Sequence, residues 1–209
     1  MKNASERRAA AWALVVAAAA ASVLLAGRTR KPFSPDAPAF RVKGPADAKV
    51  VIVEFSDFEC PACKYAEPVL RKLLELHEGK VRFVFKNYPL ERVHRWARPA
   101  AIAAECAGRQ GRFWELHDKL YDEQEKWARE TDAFKTWEGY AKDLKLDLPA
   151  WKTCLQDPAA DAAVSRDAQD GLDAWVSSTP TFFINGRRFV GAQQLGERGA
   201  PFVERELKR

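Results

Sequence analysis

The clearest indication of the fold of this 209-residue chain is residues 50–74, VVIVEFSDFECPACKYAEPVLRKLL. It begins with a continuous run of β-branched and aromatic residues, which is typical of a strand buried on both faces. Cys60 and Cys63 follow, and Pro61 between them suits the first turn of a helix, where no amide hydrogen is needed. Apolar residues then recur at helical spacing as far as Leu74. The segment therefore predicts a buried strand that leads through a C-x-x-C motif into a helix.

Beyond this helix the chain returns to strand and then to a long helical region. Residues 80–88, KVRFVFKNY, predict a second strand, and the strand–helix–strand order implies a parallel pair with a right-handed crossover. From about residue 91 to residue 175 the pattern is helical. Residues 179–190, TPTFFINGRRFV, predict a β-hairpin with an Asn-Gly turn, and residues 202–208 predict a last helix. The chain is thus predicted to be an α/β unit interrupted by a helical insertion.

The N-terminal part of the chain predicts attachment to a membrane. Residues 9–27, AAAWALVVAAAAASVLLAG, would form a helix about 28 Å long, close to the thickness of a bilayer core. We predict a signal anchor over residues 1–30; the alternative is a cleaved signal that leaves a soluble protein. Three prolines predict a linker over residues 31–38. The folded domain is expected over residues 39–209, beginning with a short strand at residues 39–43.

The charge distribution argues against nucleic acid as a partner. The formal net charge of the chain is +5. The whole excess lies in the first 32 residues, and the remainder holds equal numbers of acidic and basic residues. A nucleic-acid-binding domain needs a basic face on its folded part, which this composition does not indicate.

The cysteine pair Cys60–Cys63 could be half of a zinc site, a static disulfide or a redox dithiol. Structural zinc sites use four ligands, usually from two such pairs, whereas here there is one pair, so we predict no metal. A static disulfide over so short a loop adds little stability. The amides and the dipole of a helix N-terminus would stabilise a thiolate at Cys60, and Cys63 would lie one turn inside. This asymmetry favours a redox dithiol.

A second signal is Thr179-Pro180, at the start of a predicted strand. Proline is normally excluded there, and a cis peptide bond is one way to accommodate it. Beside a dithiol, a cis-proline loop would offer a backbone edge to an extended peptide and keep metals from bridging the cysteines. The alternative is an ordinary loop proline.

Taken together, these motifs resemble the DsbA-like thiol:disulfide oxidoreductases of the thioredoxin superfamily. The resemblance rests on the strand–CPAC–helix order, the helical insertion, STPTFFINGRRFVGAQ and the NYPL…H…AECAGRQGRFWELHDKLY stretch, and it covers about residues 42–209. It implies a thioredoxin fold with an inserted helical domain at about residues 91–175. It also implies that Cys60 is the nucleophile, that Cys63 is the resolving cysteine, and that Thr179 and Pro180 bind substrate.

The resemblance assigns further roles in the site. Glu54 matches the buried acid beneath the dithiol, which could relay a proton, and Lys86 matches its basic neighbour on the adjacent strand. A strand-end salt bridge between the two is an equal alternative. His94 matches a histidine of related sequences, and a structural role at a helix start is favoured for it.

The remaining cysteines, Cys106 and Cys154, fall on two separate predicted helices of the inserted region. In an exported protein, a structural disulfide between them is favoured over a second redox relay. Two positions depart from the family pattern. Pro-Ala replaces Pro-His between the catalytic cysteines, which would make the disulfide less oxidising, and Ser178 replaces a glycine before Thr-Pro.

The sequence therefore predicts an enzyme of the cell envelope or periplasm, anchored in the cytoplasmic membrane and monomeric. Its Cys60–Cys63 disulfide would exchange with cysteines of exported proteins, with net oxidation. A membrane redox partner would recycle the pair, and no cofactor is implied. The alternatives are a reductase or isomerase of the same fold, and a non-catalytic peptide-binding or chaperone module.

Overall fold

In the computed structural model, which describes Ser34–Arg209, residues 50–74 fold as a strand, a loop and most of a helix, as predicted. The predicted signal anchor and its apolar stretch, residues 9–27, lie outside the described residues. Among the helices that the structure describes, none has the length and apolar character needed to cross a membrane.

A five-stranded mixed sheet forms the centre of the domain, in the order β1-β3-β2-β4-β5. Its strands are β1 (Val42–Lys43), β2 (Val50–Ser56), β3 (Val81–Asn87), β4 (Thr181–Ile184) and β5 (Arg187–Val190). The β2–β3 pair is parallel, as predicted, and the other pairs are antiparallel. The central strands are apolar along most of their length because helices cover both faces of the sheet.

Nine α-helices are present in the described part of the chain. They are α1 (Pro61–Leu76), α2 (Ala97–Gly108), α3 (Phe113–Asp122), α4 (Gln124–Trp127), α5 (Phe134–Asp143), α6 (Leu148–Leu155), α7 (Pro158–Asp173), α8 (Gly191–Gln194) and α9 (Ala200–Lys208). Helix α1 connects β2 to β3, and helices α2 to α7 lie between β3 and β4. The helical insertion is therefore present. Buried tryptophans fill its interior, among them Trp127, Trp137 and Trp151.

The disulfide that the sequence favoured joins two helices of the insertion. Cys106 of α2 is bonded to Cys154 of α6, with a Cα–Cα distance of 5.7 Å. The covalent bond fixes α6 against α2. The indole of Trp151, one turn before Cys154, adds a hydrogen bond from its Nε1 to the carbonyl of Ala103 at 3.1 Å.

The C-terminal hairpin forms where the Asn-Gly turn predicts it. Asn185 and Gly186 have φ values of 45° and 81°, as a two-residue hairpin turn with left-handed positions requires. The Asn185 side chain also accepts a hydrogen bond from the amide of Val51 at 2.9 Å, which fixes the hairpin to the start of β2.

Two local predictions need correction. The strand expected over residues 39–43 is only Val42–Lys43, because Ala39–Arg41 forms a 3-10 turn. The last helix begins before residue 202, at Ala200, and α8 precedes it through a π-helical turn, Leu195–Gly199.

Candidate dithiol active site

The two cysteines are placed by the junction between β2 and α1. Cys60 is the N-cap residue of α1 and has extended backbone geometry, and Pro61 opens the helix. The Cys60 amide donates to the carbonyl of Asp57 at 3.1 Å, and the Cys63 amide donates to the carbonyl of Cys60 at 3.1 Å. A tight turn therefore presents Cys60 at the helix N-terminus, with Cys63 one turn inside, as the sequence predicts.

Exposure differs between the two thiols. Cys60 retains 7% of its surface, whereas Cys63 retains none. The sequence predicted an exposed Cys60, and the structure gives it a narrow opening instead of free exposure. Only the Cys60 sulfur can be reached from solvent.

The same asymmetry appears in the ionisation of the two sulfurs. A hydrogen bond from the Cys63 thiol is the main reason that the pKa of Cys60 falls from 9.0 to about 5. The Thr179 side chain and the amides of Cys63 and Ala62 lower it further, against the opposing effect of burial. Burial, followed by the neighbouring Cys60, raises the pKa of Cys63 well above its ordinary value. The reduced pair therefore holds its negative charge on Cys60.

The Thr179–Pro180 peptide bond is cis, and its loop lies against the dithiol. The Cys60 sulfur lies 3.6 Å from the carbonyl oxygen of Thr179. The register of β4 against β2, with Thr181 opposite Phe55, brings this loop to the end of β2 that carries the cysteines. Two segments that are about 120 residues apart in sequence thus form one site.

Glu54 lies beneath the dithiol in a fully buried position. Ser56 donates a hydrogen bond to its carboxylate at 2.8 Å and lies 2.9 Å from the hydroxyl of Tyr121. Burial, with a contribution from the charge of Glu67, raises the pKa of Glu54 well above its ordinary value. The Ser56 hydroxyl also interacts with Cys63, so it stands between the buried thiol and the buried acid.

Ser56 and Tyr121 were not identified from the sequence. Ser56 follows Glu54 by two residues on a strand, and this spacing places both side chains on one face, so the alternation could have revealed it. No signal in the local sequence links Tyr121, on α3, to this position.

The structure corrects the prediction that Lys86 neighbours Glu54. In the parallel register Glu54 is opposite Phe85, whereas Lys86 is opposite Phe55. Residues opposite each other share a face of the sheet and successive residues alternate, so Lys86 points to the face away from Glu54. Its ammonium group instead forms an ion pair with Asp170 of α7.

Lys86 belongs to a buried ion-pair network on that second face. Arg41 forms ion pairs with Asp167 and, at 3.3 Å, with Glu105, and Asp167 lies 3.9 Å from the Lys86 ammonium. Asp167 also accepts a hydrogen bond from the amide of Asn87 at 3.0 Å. These contacts fix α7 and α2 against β3 and make no contribution to the dithiol geometry described above.

His94 supports the loop that precedes Cys60. Its Nδ1 lies 2.8 Å from the buried carboxylate of Asp57, and this hydrogen bond raises the pKa of His94. Asp57 also accepts from the amides of Glu59 at 2.8 Å and Leu90 at 2.9 Å. The histidine lies shortly before α2, where a helix-start role was expected, but its side chain contacts the active-site loop.

The helical insertion also contacts this loop directly. The side-chain amide of Gln124 donates to the carbonyls of Phe58 at 2.7 Å and Cys60 at 3.0 Å. Gln124 is buried, so both hydrogen bonds are shielded from water. The position of the Cys60 backbone thus depends on the insertion as well as on β2.

This arrangement defines the class of the protein: a thioredoxin fold of the DsbA-like thiol-disulfide oxidoreductase type, in which a dithiol at a helix N-terminus meets a cis-proline loop. The chain belongs to the Thioredoxin_4 family (Thioredoxin). The model of this family matches residues 37–199.

Solved structures show the same fold. BdbD from Bacillus subtilis, in its oxidised form, is 26% identical, with a TM-score of 0.69 over 81% of this chain and 93% of that chain. Alpha-DsbA1 from Wolbachia pipientis is 18% identical, with a TM-score of 0.72 over 83% of this chain and 93% of that chain.

Curated relatives resemble the chain over a limited part of their own length. A protein of Salinispora arenicola named as Na(+)/H(+) antiporter NhaA 1 is 44% identical over 155 residues, which are 74% of this chain and 23% of that protein. A protein of Salinispora tropica named as Na(+)/H(+) antiporter NhaA 3 is 42% identical over 154 residues, with the same coverage. The chain therefore spans less than a quarter of these relatives.

Proposed function

We propose that this protein is an exported enzyme that oxidises cysteine pairs of other exported proteins through the Cys60–Cys63 disulfide. The observation that carries the proposal is the opposite shift of the two cysteine pKa values at the start of α1. A dithiol exchanger needs one sulfur that ionises and leaves readily and one that is kept protonated and shielded.

The first step begins with the oxidised pair. A substrate thiolate attacks the Cys60 sulfur, a mixed disulfide forms, and the electron pair of the broken bond moves to Cys63. Because burial disfavours a thiolate at Cys63, that sulfur takes up a proton. The raised pKa of Glu54 favours a protonated carboxyl that can supply this proton, and the Ser56 hydroxyl lies between Glu54 and Cys63.

The second step releases the substrate. The second thiolate of the substrate attacks the substrate sulfur of the mixed disulfide, a disulfide forms in the substrate, and Cys60 leaves as a thiolate. A sulfur with a pKa of about 5 is a good leaving group at neutral pH. Two electrons have then passed to the enzyme, and a membrane redox partner accepts them to restore the disulfide.

The ionisation of Cys60 supports oxidation as the net direction. A stabilised thiolate stabilises the reduced enzyme, and a stable reduced form makes the disulfide a stronger oxidant. Pro-Ala between the cysteines acts against this, since the dipeptide supplies no imidazole to the thiolate. The cis-proline loop beside Cys60 supports a role in binding an extended substrate segment, through Thr179 and Pro180.

A location outside the cytoplasmic membrane, with attachment to it, completes the proposal. The predicted apolar segment at residues 9–27 supports the attachment, as does the similarity to part of two proteins named as antiporters. The Cys106–Cys154 disulfide supports an oxidising compartment. A reporter that is active only outside the cytoplasm, fused after Arg209, is expected to be active; an active cytoplasmic reporter would contradict the location.

Trapping of mixed disulfides tests the enzymatic role. Cys63→Ser cannot form the internal disulfide, so its Cys60 thiolate attacks disulfides of exported proteins, and one sulfur of the broken disulfide leaves as a thiolate. No Cys63 thiol is present to resolve the product, so mixed disulfides with exported proteins should accumulate through Cys60. The matched variant Cys60→Ser should trap none. If neither variant captures a partner, the exchange proposal fails. The reduction potential of the Cys60–Cys63 pair tests the direction of exchange. A value near that of thioredoxin, about −270 mV, would show that the enzyme acts as a reductase.

A further inference from the structure

A second cluster of reactive side chains lies away from the dithiol opening. Glu67 of α1 and the neighbouring pair His117 and Asp118 of α3 line a cavity of about 610 Å³. The cavity lining includes neither Cys60 nor Cys63. None of the three side chains serves as nucleophile, leaving group or proton donor in the exchange steps described above; Glu67 enters them only through the effect of its charge on the pKa of Glu54.

Two polar atoms of this cluster are buried without a partner. His117 is 2% exposed and Glu67 is 9% exposed. His117 Nε2 and Glu67 Oε1 face each other at 3.8 Å, which is too long for a hydrogen bond. Neither atom has a hydrogen-bond partner in the part of the chain that the structure describes. Buried polar atoms are nearly always satisfied in folded proteins, so this gap needs an occupant.

The third member fixes the orientation of the imidazole. Asp118 Oδ1 lies 2.9 Å from His117 Nδ1. A carboxylate accepts a hydrogen bond from the protonated nitrogen, which leaves the lone pair of Nε2 directed at Glu67. A carboxylate that holds the far nitrogen of a histidine is the usual outer partner of a metal-bound imidazole. Aromatic rings, including those of Phe85 and Trp114, pack around His117 and hold the ring in place.

We propose that Glu67 and His117 bind a divalent transition metal ion of the zinc class, with Asp118 as the positioning residue. Imidazole nitrogen and carboxylate oxygen are ligands that Zn²⁺ prefers, at about 2.0–2.2 Å each. Ligand atoms of all three residues lie within 4.8 Å of one another, so a small inward movement closes the site. Water from the cavity fills the remaining coordination positions.

The surrounding charges favour a cation. Among the described residues that line the cavity, four carboxylates stand against two basic side chains, Lys43 and Arg71. The Lys43 ammonium lies 4.0 Å from the centre of the Trp114 ring, so its charge is partly engaged there. The carboxylates outnumber the basic side chains, so the cavity carries a net negative charge that would repel an anionic ligand.

The test uses the full-length protein in its oxidised form, because reduced Cys60 and Cys63 would themselves bind zinc. Calorimetric titration with ZnCl₂ should show one ion bound per chain. His117→Gln and Glu67→Gln should abolish that binding, and Asp118→Asn should weaken it by about 10–100-fold. Two matched controls should keep the one-ion stoichiometry: Glu75→Gln, which removes a cavity charge but no ligand and should weaken binding far less than Asp118→Asn, and His77→Gln, a histidine outside the cavity, which should bind as the wild type does.

A measurement on the unmutated protein covers the case in which a variant fails to fold. Nitrogen-15 spectra of the histidine side chains should show the Nε2 resonance of His117 shifting on addition of Zn²⁺, while His77 and His94 stay unchanged. Absence of zinc binding by the oxidised wild type would overturn the proposal, and so would binding that moves a different histidine or that survives His117→Gln. Each of these three results would leave water as the occupant between Glu67 and His117.

Discussion

The two cysteine pairs of this protein have the same atoms and opposite chemistry. Cys60 and Cys63 lie at the start of one helix. A hydrogen bond from the Cys63 thiol and, after it, the amides of the helix start lower the pKa of Cys60, while burial raises that of Cys63. Cys106 and Cys154 lie within two helices of the insertion, are 48 residues apart, and are bonded to each other. Cys106 is buried and lies close to the end of α2, as the tenth of its 12 residues.

The difference shows that placement relative to a helix N-terminus decides what a cysteine does here. Unpaired amides at a helix start stabilise a thiolate. A cysteine inside a helix lacks this stabilisation, because the amides around it are already bonded to carbonyls. A spacing of two residues also keeps the first pair together in both redox states, whereas the second pair depends on the packing of α6 against α2. The first pair is suited to exchange and the second to stability.

The largest expected effect is the loss of exchange when the first pair is broken. Cys60→Ser should abolish oxidation of a model dithiol peptide, since the variant cannot form the Cys60–Cys63 disulfide that accepts the two electrons. Replacing Cys106 and Cys154 together with alanine should leave the rate for folded protein largely unchanged. Fluorescence of a peptide that reports disulfide formation measures both. Loss of turnover in the folded double variant would make the second pair a redox relay.

The Cys106–Cys154 pair should contribute more to the free energy of unfolding than the Cys60–Cys63 pair does. Removal of Cys106–Cys154 is expected to lower the free energy of unfolding by up to about 4 kcal/mol, from the loop-closure entropy of a 48-residue separation. Urea denaturation of the double alanine variant against the wild type, both with Cys60 and Cys63 oxidised so that no free thiol can exchange with Cys106–Cys154, measures this. An unchanged midpoint would show that the bond adds nothing beyond the packing of the two helices.

The first pair should make stability depend on pH in one redox state alone. The pKa of Cys60 is depressed in the folded protein, so the thiolate stabilises the reduced form fully above the unfolded-state pKa, near 9. That contribution is lost as the pH falls through about 5. The melting temperature of the reduced protein minus that of the oxidised protein should therefore rise from pH 5 to pH 9. A flat difference would contradict the thiolate assignment.

Glu54 should affect the rate of exchange without changing the nucleophile. Glu54→Gln removes the proton donor beneath Cys63, and slower exchange at neutral pH is expected, on the order of 100-fold at most. The alkylation profile of Cys60 with iodoacetamide should stay close to that of the wild type. Lys86→Met is the control on the opposite face of the sheet: it should destabilise the protein by breaking the Asp170 ion pair, yet leave exchange by the folded protein intact. The reverse pattern would restore Lys86 to the site.

Features that depend on near neighbours along the chain could be predicted from the sequence. The strand, the C-P-A-C turn and α1 follow from residues within one segment, and the Asn185-Gly186 hairpin follows from two residues that accept positive φ. The position of Cys60 at a helix N-terminus, and with it the direction of its pKa shift, could be predicted because a helix start is a local feature.

The contacts between side chains of different helices and strands could not be predicted in this way and became visible in the folded domain. The family resemblance placed Lys86 beside Glu54 on the adjacent strand, but the register offsets the two by one residue. In a strand, a shift of one residue moves a side chain to the other face. Tyr121 reaches Ser56, and His117 faces Glu67, through the packing of α3 against the sheet and α1. Such contacts depend on strand register and helix packing, which are set by burial over the whole domain and leave no mark in the local sequence.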